Sequence, residues 1–101
     1  MHLVQLLLPL YTNAGIPFEQ RLFVDVRREL VNQFGGITAY TRAPVEGLWQ
    51  DSDRIIRDDL LIYEIMLEGL DESWWREYRV VLENRFHQEA LVIRTHELRL
   101  L

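Results

Sequence analysis

Six side chains of this 101-residue chain could do chemistry together: Gln5, Tyr40, Arg42, Glu64, Arg94 and His96. A carboxylate at Glu64 and an imidazole at His96 are a pair from which proton transfer near neutral pH can be built, because histidine titrates in that range. Arg42 and Arg94 offer guanidinium forks that would hold a carboxylate or neutralise Glu64 away from water. Gln5 and Tyr40 add directional hydrogen bonds, and Trp49 adds an aromatic surface. The set is compatible with acid–base catalysis by Glu64 and His96, and equally with a ligand site built from Gln5, Tyr40, Arg42, Trp49 and Arg94. The plainer alternative is that these charges pair with one another at the open ends of an interface.

Other chemistries drop out. With no cysteine there is no disulfide framework, no thiolate nucleophile and no cysteine-based zinc site, and a reducing cytoplasm is the expected compartment. His2, His87 and His96 do not stand at a metal-ligand spacing, and Asp51-Ser52-Asp53, near Asp58-Asp59, reads as turn chemistry, so neither metal nor cofactor is expected. Gly35-Gly36 follows a helical pattern instead of preceding one, and no serine stands in a G-x-S-x-G elbow. A net charge of −5 without a Lys/Arg block argues against nucleic acid. The apolar start, MHLVQLLLPLY, lacks a basic n-region and is interrupted by Gln5 and Pro9 well short of the ~20 residues of a membrane span. It reads as a strand, and no membrane association is expected.

Positioning these residues requires a sheet. Leu3 to Leu10 is a short apolar run suited to a central strand. A helix is predicted from Pro17, with Phe18, Leu22, Val26, Leu30 and Phe34 on one stripe and Gly35 as its stop. Ile37 to Ala43 and Ile55 to Leu67 are the second and third strands. Asp71 to Ala90 is the second helix, capped by Asp71 or Ser73 and buried along Trp75, Tyr78, Leu82 and Phe86, while Trp74-Trp75 serves packing. Leu91 to Leu98 is the fourth strand. The order β-α-β-β-α-β predicts a ferredoxin-like α+β domain, a four-stranded antiparallel sheet in the order 4-1-3-2 with both helices on one face.

Strand alternation then assigns Val4, Leu6, Leu8, Ile37, Ala39, Leu61, Tyr63, Ile65, Leu91 and Ile93 to the helix side. The other face combines Leu3, Leu7, Leu60, Ile62, Met66 and Val92 with the six reactive residues. An apolar patch of several hundred Å2 usually marks an interface. A homodimer pairing these faces is therefore predicted, with any site inside the resulting barrel. The stretch RAPVEGLWQDSDRI, residues 42 to 55, should form a hairpin arm with an irregularity at Pro44 and a turn over Asp51 to Arg54. Such an arm is marginal alone. Trp49 is expected to pack across the dimer or close the mouth of the open face.

Three short motifs carry a resemblance: Gly47-Leu48-Trp49-Gln50-Asp51 with Arg57-Asp58 following, Arg85-Phe86-His87-Gln88-Glu89, and Leu91-Val92-Ile93-Arg94. With them the chain resembles a small bacterial family of ferredoxin-like topology for which no catalytic residue is established. It departs from that family in carrying His87 where glycine follows the phenylalanine, and the secretion signal of many members is not expected here. The resemblance implies topology, and through it a likeness to dimeric α+β barrels. Two function classes follow: a homodimeric binding or interaction module, and a cofactor-independent enzyme in which Glu64 or His96 moves a proton while Arg42 or Arg94 holds a substrate carboxylate.

Overall fold

In the computed structural model the backbone is described over residues 1–101, and side chains for all but residues 41–45, 49, 51 and 55–58. The elements are β1 (His2–Pro9), α1 (Gln20–Phe34), β2 (Thr38–Asp51), β3 (Arg54–Leu67), α2 (Glu72–Arg85) and β4 (Val92–Glu97). The strands form an antiparallel sheet in the order β2-β3-β1-β4, so the two runs richest in apolar residues, β1 and β3, lie inside it.

Alternate residues of the central strands build the core. Val4, Leu6 and Leu8 of β1 and Leu61, Tyr63 and Ile65 of β3 are buried with Phe23, Val26 and Leu30 of α1 and Trp75, Tyr78 and Leu82 of α2. Both helices therefore cover one face. Their ends are welded by aromatic rings: Phe34 stacks on Trp75 at 5.1 Å and meets Trp74 edge-on at 5.0 Å. Trp74-Trp75 is thus a packing element, one ring buried and its neighbour at the margin.

Strands β1 and β3 begin one residue earlier than expected and β2 and β4 one residue later, and four other boundaries differ as follows. The helix α1 begins at Gln20, not Pro17, because the Phe18 N–H donates to the Leu10 carbonyl at 3.0 Å and Pro17 bridges to Tyr11, which holds this stretch extended. Strand β2 does not end at Ala43. It continues to Asp51 as one arm of the expected hairpin, with a register break between Tyr40↔Ile62 and Val45↔Leu60 that places Pro44 in a bulge, the irregularity expected there. Helix α2 stops at Arg85 instead of Ala90, since His87 takes a left-handed φ of 50° and cannot continue it. Its start is capped as expected, the Trp74 N–H donating to Asp71 Oδ1 at 3.1 Å. Finally, β4 closes at Glu97, one residue before Leu98.

At two positions burial does not follow the face. Ala39 is exposed although it points to the helix side, because β2 is an edge strand there. Ile62 points away from the helices and is nonetheless buried at 8%. It is flanked by Leu7 on β1 and Tyr40 on β2, which cover it within the single chain.

Candidate functional site

Register decides what the helix-free face presents. Gln5 of β1 stands opposite Glu64 of β3 on one side and Arg94 of β4 on the other. Tyr40 of β2, opposite Ile62, reaches diagonally to Glu64. One polar side chain from each strand thereby joins a continuous row.

The row is hydrogen-bonded throughout. Arg94 Nε donates to Gln5 Oε1 at 2.7 Å, Gln5 Nε2 donates to Glu64 Oε1 at 2.7 Å, and the Tyr40 hydroxyl donates to Glu64 Oε2 at 3.2 Å. The Gln5 amide thus relays between cation and carboxylate, where a direct Arg94–Glu64 pair was the simpler expectation. The negative charge of Glu64, then its hydrogen bond, pushes the Tyr40 phenol above its usual pKa of 10.0.

Apolar rows flank the polar one. On one side Leu7 sits between Ile62 and Val92, and on the other Leu3 sits between Met66 and His96. Met66 and Val92 are 55% and 51% exposed. His96 thus lies one row from Glu64, and among the described residues no hydrogen bond joins them. The side chains of Arg42 and Trp49 lie outside the described residues; the Trp49 backbone pairs with Ile56 in the arm.

Two depressions give access to this face. One of about 350 Å3 is bounded by Leu3, Phe34, Gly36, Thr38 and Met66 and reaches Glu64 beside the end of α1. The other, about 290 Å3, lies at the far apolar end between Leu48 of the arm and Leu7, Leu60 and Val92. The arrangement can accept hydrogen bonds at Glu64, donate them from Arg94 and Tyr40, and bury an apolar or aromatic body between. No cluster of three or more His, Asp or Glu side chains capable of holding a metal is found among the described residues.

Sequence reasoning selected Gln5, Tyr40, Glu64 and Arg94, and the fold brings all four together. The relay role of Gln5 was missed, because it depends on which residue faces which across three strands.

The class defined by this architecture is a small α+β domain, ferredoxin-like in outline. No protein-family profile matches the chain, and no curated protein matches its sequence. Among solved structures it is similar to a phage SAM lyase in complex with S-methyl-5′-thioadenosine, with a TM-score of 0.59, 17% sequence identity, and coverage of 95% of this chain and 80% of that one. At that identity the likeness is one of fold. No helix among the described residues is long and apolar enough to cross a membrane.

Proposed function

We propose that the chain is a homodimeric α+β barrel-type binding module, two copies pairing their helix-free faces around the Arg94–Gln5–Glu64–Tyr40 row. The observation that carries this reading is a satisfied polar row between apolar rows that include the half-exposed Met66 and Val92. A solvated sheet face would carry polar residues in every row; here they concentrate in one row, and the flanking rows are apolar except for His96 at the β4 edge. The ligand that suits it is small and anionic or aromatic, its anion on Arg94 and its polar donors on Glu64. The lack of cysteine suits a reducing cytoplasm. Native mass spectrometry of the purified protein tests the reading, since it reports subunit number and any retained small molecule together. A single-chain particle would overturn it.

A second reading is favoured by the fold likeness to the phage SAM lyase solved with S-methyl-5′-thioadenosine. In it Glu64 accepts a proton from substrate, Arg94 holds a carboxylate, and His96 or Tyr40 assists. Incubation with S-adenosylmethionine and chromatography for S-methyl-5′-thioadenosine distinguishes the two. Product formed by the native chain and lost in Glu64→Gln supports the enzyme; binding of the nucleoside without turnover supports the module.

A further inference from the structure

The chain is acidic, with a net charge of −5, yet one cleft reverses that sign. Between α2 and the edge strand β4, a cleft of about 160 Å3 is lined by Arg76 and Arg79 against a single carboxylate, Glu72, and is bordered by Arg94, whose side chain turns to the open face. Arg76 and Arg79 are three residues apart on α2 and share a face. Glu72 engages Arg76 at 3.3 Å, with both side chains about two-thirds exposed at 68% and 64%. Arg79 has no ion pair or hydrogen bond among the described residues. Arg94 commits its Nε to Gln5, and its terminal nitrogens make no hydrogen bond among the described residues.

The floor is apolar. Val4 and Trp75 lie beneath, 1% and 6% exposed, and Ile93 forms the adjoining wall. Two guanidinium groups on one helix face, Arg79 unpaired and Arg76 shared with an exposed carboxylate, above an apolar floor match a phosphate that carries an organic group. We propose that this cleft binds a phosphate monoester of a small aromatic or aliphatic alcohol, its phosphate on Arg79 and Arg76 and its apolar body over Trp75 and Ile93. The site is separate from the open sheet face and does not depend on dimerisation; Arg94 borders both.

The test uses the full chain at low ionic strength, with phenyl phosphate as probe, followed by calorimetry and backbone amide NMR. Shifts should centre on residues 76–79 and 93–95. Arg79→Gln should weaken binding about tenfold, the size of one lost charge-assisted hydrogen bond. Glu72→Gln, which frees Arg76, should tighten it about two- to fivefold. Benzoate, a monoanion, should bind more weakly than phenyl phosphate. Absence of binding, indifference to Arg79→Gln, or equal affinity for benzoate would overturn the proposal. Shifts centred on Gln5, Glu64 and Met66 would also overturn it, by moving the ligand to the open face and leaving that reading intact.

Discussion

At Glu64 two donors from neighbouring strands converge on one carboxylate, and the clearest consequence is felt at the phenol of Tyr40. Its pKa is held above 10.0 chiefly by the Glu64 charge. Glu64→Gln should return Tyr40 toward that value, read as the difference in phenolate absorbance between Glu64→Gln and the same variant also carrying Tyr40→Phe. An unshifted titration would mean that the two side chains do not meet in solution. His87 makes a second residue-scale case. Its φ of 50° is a left-handed conformation that glycine adopts without a Cβ clash, and here it ends α2. His87→Gly should stabilise the chain by up to about 1 kcal/mol in urea denaturation.

At the scale of elements, α1 and α2 are joined by more than their apolar stripes. Arg85 of α2 donates to both carboxylate oxygens of Glu29 on α1, at 2.6 and 2.8 Å, and the Tyr78 hydroxyl donates to the same group at 2.9 Å. The Arg85 hydrogen bonds hold the Glu29 pKa below its ordinary 4.5, against the opposing effect of burial and with help from Tyr78. The folded chain therefore releases this proton more readily than the unfolded one. The resulting stability is fully present above pH 4.5 and is lost as pH falls through the folded value. Because the pair is partly exposed, Glu29→Gln should cost only about 1 kcal/mol at neutral pH. It should also flatten the acid side of the stability profile, which urea midpoints measured across that range would reveal. Burial and the Glu29 contact push the Tyr78 phenol well above its usual value, so it stays a donor throughout.

For the whole molecule, the prediction concerns assembly. Met66 and Val92 are exposed in the single chain, so charging them leaves the core intact while spoiling a paired surface. The double variant Met66→Glu, Val92→Glu should fold, by circular dichroism, and run as a monomer where the native chain runs as a dimer. A native chain and variant of equal mass in solution would end the dimer proposal. The elements were legible because periodicity, proline and glycine act locally: the apolar stripes of α1 and α2, the stop at Gly35 and the capping Asp71 all follow from near neighbours. What remained hidden depends on distant partners. The burial of Ile62 by Leu7 and Tyr40 requires three strands from different parts of the chain to be in register, whereas the irregularity at Pro44 was legible from the proline itself. Composition and spacing alone determined a two-helix α+β chain with one greasy, partly charged sheet face. Only tertiary pairing decided that Arg94 reaches Glu64 through the Gln5 amide, because hydrogen-bond geometry is set by which residues stand opposite across the sheet and not by their order along the chain.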